Sequence, residues 1–178
     1  METFKVILHT NGNDKCLYNV MKYPIDKDQI IAEGFGVNPY DPKAAMVQFK
    51  NTAKFWNNQD KTPIFHYMTS FTDKTAPTAE KAMELTKKIF EPLTNNHLAL
   101  IGTHNKERGE SSMHTHTAMS PTNINDGSML YGDNTTNYAL AQRTANITGQ
   151  PTKLVVMKEN RKEWTCPKIF IPQSDEDE

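Results

Sequence analysis

The chain has 178 residues, 37% of them hydrophobic, and a formal net charge of −1. That length suits one domain with its own core, and no apolar run approaches the roughly 20 residues of a membrane span. The charge excludes the strongly basic surface of a non-specific DNA binder, although without the acidic residues 175–178 the body carries 20 basic residues against 17 acidic ones.

Two cysteines, Cys16 and Cys166, exclude a cysteine zinc site and a disulfide framework. They point to a reducing cytoplasm, and residues 1–15 lack signal-peptide architecture. Residues 3–9 (Thr-Phe-Lys-Val-Ile-Leu-His) predict a first strand, closed by a turn at Asn11-Gly12-Asn13. Asp14 is placed to cap a short helix carrying Leu17, Tyr18, Val20, Met21 and Tyr23, stopped by Pro24. Residues 30–37 predict a short strand holding two glycines. Asp41-Pro42, a cap followed by proline at the first helical position, opens an amphipathic helix with Met46, Phe49, Ala53 and Trp56 on one face.

Residues 62–71 are rich in β-formers, and Pro77-Thr78 begins a helix with Ala82, Leu85 and Ile89 facing inward. Residues 97–103 (His-Leu-Ala-Leu-Ile-Gly-Thr) are nearly continuous apolar sequence and predict a central strand. A polar loop, 105–111, joins it to a strand over 112–119. Asn125-Asp126-Gly127 marks a turn. Tyr138, Ala141 and Ala145 share the register of a last helix running from about Asn134 to a stop at Gly149. Residues 153–158 predict the last strand, and the segment after residue 158 is expected to be loose. The alternation predicts an α/β fold in a single domain over 1–172, with a central, mainly antiparallel sheet of about five strands and packed helices. Residues 173–178 form an acidic tail expected to be disordered.

Three of the six histidines fall between positions 104 and 116. His114 and His116, two apart on a strand, point to the same face. The short link back to the 97–103 strand makes the two strands antiparallel neighbours, which places His104 across from the pair. Three imidazoles on one divalent ion leave coordination positions open, an arrangement suited to catalysis. Neutral ligands leave the ion its full charge, able to polarise a phosphoryl oxygen. Imidazole suits Zn, Mn, Fe, Ni or Cu, and the residues do not choose among them. Glu107 and Glu110 in the loop are candidates to add a carboxylate or to orient an imidazole. His66, on a central strand, reads as packing or as support for a ligand rather than as a ligand.

Around this site the chain resembles the relaxase (mobilisation nuclease) family of HUH endonucleases over roughly residues 15–158. Leu17-Tyr18-Asn19-Val20-Met21-Lys22-Tyr23 resembles the family's short helix with a nucleophilic tyrosine. Gly36-Val37-Asn38 followed by Asp41-Pro42 resembles the next block, and Phe65-His66-Tyr67-Met68-Thr69-Ser70-Phe71 is similar to the family's strand ending in Ser-Phe. Pro77-Thr78-Ala79-Glu80-Lys81-Ala82 resembles the helix start beyond it. His104 with His114-Thr115-His116 matches the three-histidine motif, and Asp126-Gly127 the turn beyond it. The order of the blocks is more specific than any one of them.

The resemblance implies an HUH/RRM-like fold and a transesterification on single-stranded or hairpin DNA at an origin, in plasmid or mobile-element mobilisation, with accessory mobilisation proteins as partners. A tyrosine oxygen would attack the scissile phosphate, giving a 5′-phosphotyrosine and a free 3′-OH. It implies one divalent ion, Mg or Mn, with Zn, Ni or Co also compatible. Tyr23 best matches the family's nucleophile and Tyr18 is the near alternative. Tyr138, on a helix after the histidines, matches the order found in rolling-circle replication initiators of the same superfamily. Three other readings stay open here: such an initiator, a catalytically silent single-stranded DNA-binding module on the same fold, and an unrelated histidine-metal hydrolase. Lysines outnumber arginines seventeen to three, which favours phosphate contacts over base readout. Arg108, in the histidine loop, is the candidate DNA contact.

Overall fold

In the computed structural model, residues 1–9, 13–25, 31–104, 113–158 and 163–174 are described. The elements run in the order β1 (Glu2–Leu8), α1 (Asp14–Lys22), a 3-10 turn (Tyr23–Ile25), β2 (Ile31–Phe35), α2 (Pro42–Phe55) and β3 (Phe65–Phe71). Then come α3 (Ala79–Thr94), β4 (Ala99–His104), β5 (Met113–Met119), α4 (Asn134–Thr148), β6 (Thr152–Lys158) and β7 (Glu163–Phe170). All seven strands form one sheet in the order β2-β4-β5-β3-β1-β6-β7. Among the described residues only β1 and β6 pair in parallel, and α4 lies in the connection between β5 and β6. The domain is α/β with a mainly antiparallel sheet, as the sequence predicts.

Among the described residues the sheet has seven strands, not about five. The strand that the pattern gives no sign of is β7, in a segment expected to be loose. It forms the sheet edge beyond β6, where a residue without an N–H such as Pro167 is tolerated. The first helix is capped by Asn13, whose side chain accepts from the Cys16 N–H, and not by Asp14. Asp41, Thr78 and Asp133 cap α2, α3 and α4 in the same way, and Gly149 ends α4 at φ 66°.

Alternation of side chains divides the sheet into two unequal faces. On one, Phe4, Val6, Phe65, Tyr67, Phe71, Met113, Met119 and Leu154 pack against Leu85, Ile89 and Phe90 of α3 and Leu140, Ala141 and Ala145 of α4. Thr115 faces this side, where its hydroxyl and that of Thr86 on α3 are 2.8 Å apart. On the other face, Leu17, Val20 and Met21 of α1 and Ala45 and Phe49 of α2 cover Leu100 and Ala118. This second cover is incomplete. Beside it lies a cavity of about 310 Å³ bordered by Lys5, Ile7, His66 and Met68. Among the described residues no helix is long and apolar enough to cross a membrane.

One glycine decides how the 3-10 turn meets the sheet. A Cβ on Gly102 would stand 1.9 Å from the Pro24 carbonyl oxygen. The turn therefore rests directly on the β4 backbone. Gly102→Ala must push it away, an overpacking expected to cost about 1–3 kcal/mol, read as a lower Tm in thermal unfolding.

Candidate metal centre

Antiparallel pairing of β4 with β5 sets His104 opposite His114 and Gly102 opposite His116. All four therefore lie on the partly covered face. One ring nitrogen from each of His104, His114 and His116 lies within 4.8 Å of the others. A zinc ion held at about 2.0–2.1 Å by imidazole would draw these nitrogens closer together. His104 and His116 are each 2% exposed and His114 is half-buried, so the cluster has two buried members and one partly open to solvent.

Each buried imidazole is fixed from behind. His104 Nε2 donates to the Pro24 carbonyl at 3.2 Å, since a carbonyl can only accept, and this turns its Nδ1 toward the cluster. His116 Nδ1 lies 3.0 Å from His66 Nε2, leaving Nε2 to face the cluster. His66 is two residues along β3 from Met68, the direct partner of His116, so the contact is the diagonal one that sheets allow to long side chains. His66 lies on β3, beside the cluster and in contact with His116.

Tyr23 occupies the first position of the turn. Its ring lies edge-on to His116 with centroids 4.5 Å apart, and 6.3 Å from the His104 ring. Its side chain is 50% exposed, and it borders the cavity together with His116 and Asn19. Tyr18 lies on α1 with no ring contact to these histidines among the described residues. Tyr138 is on the opposite face of the sheet. It packs on Phe170 at 5.5 Å, under the Lys168 ammonium at 4.2 Å. The fold thus brings Tyr23 to the histidines and leaves Tyr138 in the packing of α4. Glu107, Glu110 and Arg108 lie outside the described residues.

Burial, and after it the charge of His9, push the His66 pKa from its ordinary 6.5 down to about 3. Between those values the unfolded chain takes up a proton that the folded one refuses. The metal-free protein is therefore expected to lose stability as pH falls from 6.5 toward 3, by up to about 1.4 kcal/mol per unit. Urea unfolding at pH 7 and pH 5 measures it, and His66→Gln removes this part of the slope.

Two further residues join the site without a sequence signal. His9, just past β1, places Nε2 3.1 Å from His66 Nδ1. Its Nδ1 lies 4.0 Å from Cys16 Sγ. Alternation puts His9 on the same face as Lys5 and Ile7, but only the pairing of β1 with β3 reveals His66 as the neighbour. Five of the six histidines thus converge. The sixth, His97, donates from Nδ1 to the Ser120 carbonyl at 2.9 Å.

Comparison with known families agrees with this geometry. The family model "Relaxase: MobA/VirD2-like, nuclease domain" matches residues 18–150, a span that includes Tyr23 and the three clustered histidines. No curated protein and no solved structure matches the chain. On a match covering well over half its length, the chain belongs to the MobA/VirD2-like relaxase nuclease-domain family.

Proposed function

We propose that the protein is a metal-dependent nickase and strand transferase acting on single-stranded DNA at an origin, with Tyr23 as nucleophile. His104, His114 and His116 hold one divalent ion, Mg or Mn, with Zn, Ni or Co compatible with the same nitrogens. The observation that carries this reading is the placement of Tyr23. It sits 4.5 Å from His116, on the turn whose Pro24 carbonyl orients His104. Nucleophile and ligands are tied to one backbone contact.

When bound, the ion supplies Lewis acidity at the non-bridging phosphate oxygens. The protein's own part is positional. Pro24 and His66 hold two imidazoles, and the 3-10 turn holds the phenol at the mouth of the site, so attack becomes effectively unimolecular. The Tyr23 Oη–P bond forms as the P–O3′ bond breaks. The phenolic proton passes to solvent, and the 3′ oxygen takes up a proton to leave as a hydroxyl. The phosphotyrosine conserves the bond for rejoining. Lysines contact phosphates, and Arg108 is the arginine assigned to the DNA. Plasmid or mobile-element mobilisation in the cytoplasm, with accessory mobilisation proteins, is the setting that this chemistry fits.

Incubation with a randomised single-stranded oligonucleotide pool tests the reading. Wild type with Mn²⁺ is expected to give a protein–DNA adduct stable to SDS, and EDTA to abolish it. No adduct under any divalent ion contradicts the proposal. Gly102→Ala, by shifting the turn, is expected to slow adduct formation about 100-fold, the scale of a 1 Å misplacement.

A further inference from the structure

The metal reading uses three histidines and leaves His9 and Cys16 without a role, although both stand in line behind His116. The line has three links. His116 Nδ1 to His66 Nε2 is 3.0 Å, His66 Nδ1 to His9 Nε2 is 3.1 Å, and His9 Nδ1 to Cys16 Sγ is 4.0 Å. The His66 and His9 rings are nearly parallel, at 8°. This is a row and not a second cluster. Among the described residues, the group with three ligand atoms close enough for one ion is His104, His114 and His116.

A neutral imidazole carries one N–H and one lone pair. An ion on His116 Nε2 takes that lone pair and leaves the proton on Nδ1, which then donates to His66 Nε2. His66 must in turn carry its proton on Nδ1 and donate to His9 Nε2. His9 then carries its own on Nδ1, directed at Cys16 Sγ. Every link has the same direction, away from the ion.

We infer that His66 and His9 form a one-way hydrogen-bond relay, ending on the Cys16 sulfur, that fixes His116 as an Nε2 metal ligand. Both are positioning residues, since neither reaches the ion or the phosphate. They hold the ring orientation and tautomer of His116 and raise its basicity. Partners behind a ligating histidine are typically worth 10–100-fold in metal affinity. The inference rests on the metal reading above and extends it to His9 and Cys16, which lie in none of the blocks that carry the family resemblance.

Two measurements on the full chain test it. Calorimetric titration with Mn²⁺ is expected to show His66→Leu weakened 10–100-fold and His9→Leu about 10-fold. His9→Gln, whose amide oxygen accepts where Nε2 did, is expected to stay within about threefold of wild type. In ¹⁵N spectra of wild type loaded with Zn²⁺, His66 is expected to be protonated on Nδ1 and bare on Nε2. A proton on His66 Nε2 overturns the relay, as does a His9→Leu variant that binds Mn²⁺ like wild type or a His9→Gln variant no better than His9→Leu. Failure of wild type to bind either ion overturns the metal reading and the relay together. Ion binding by wild type with no effect of His9→Leu overturns the relay alone.

Discussion

Tyr23→Phe is expected to lower covalent adduct formation on the order of 10³-fold or more, because it removes the oxygen proposed to attack and nothing else. The side chain is half exposed, and its ring packing on His116 survives in phenylalanine. Stability should therefore stay within about 0.5 kcal/mol of wild type. DNA and metal binding should persist. Tyr18→Phe and Tyr138→Phe serve as controls expected to retain activity, since Tyr18 lacks ring contact with the clustered histidines among the described residues and Tyr138 packs on Phe170 across the sheet. Quantifying the SDS-stable adduct over time for the three variants checks this. Activity retained in Tyr23→Phe and lost in Tyr18→Phe would move the nucleophile one turn back along α1.

The second large effect is expected at the ligands. His114→Ala removes one of three nitrogens from the cluster while disturbing little packing, since His114 is the least buried of the three. Mn²⁺ affinity is expected to fall by at least the 10–100-fold that loss of an outer partner costs, and adduct formation at low Mn²⁺ to fall with it. Excess Mn²⁺ should recover part of the rate, because Tyr23, His104 and His116 remain in place. His104→Ala and His116→Ala should be more severe. Each also strips a buried partner, the Pro24 carbonyl in one case and the His66 nitrogen in the other, and an unmade buried hydrogen bond costs about 1–3 kcal/mol. Calorimetry and the adduct assay on the same preparations separate loss of the ion from loss of the fold.

The three-histidine cluster is legible in the sequence because it depends on local rules. Period-2 alternation puts His114 and His116 on one face, and a short strand connection puts His104 opposite. The pairing of His104 with His114 agrees with that logic directly. The tyrosine is legible as a pair of candidates, Tyr23 and Tyr18. Tyr23 comes to lie beside the clustered histidines through the contact of the turn with the β4 backbone at Gly102, a tertiary fact with no local signature.

His9 and Cys16 are invisible in the sequence for a similar reason. His9 meets His66 through the order β3-β1 in the sheet, and Cys16 meets His9 from α1; neither neighbour relation is carried by hydrophobic period. The edge strand β7 has no clear signal because edge strands need no clean alternation and tolerate proline. The cap of α1 falls on Asn13, one position before Asp14, a difference within the ordinary uncertainty of helix ends.

The central claim, that Tyr23 is the residue joined to DNA beside a three-histidine ion, is tested most directly by locating the bond. Wild type is incubated with Mn²⁺ and the oligonucleotide pool, the adduct is trimmed with nuclease and digested with protease, and the peptides are sequenced by mass spectrometry. A nucleotide mass on Tyr23 is the predicted result. A nucleotide mass on Tyr18, on Tyr138 or on a histidine, or no modified peptide at all, would contradict the account.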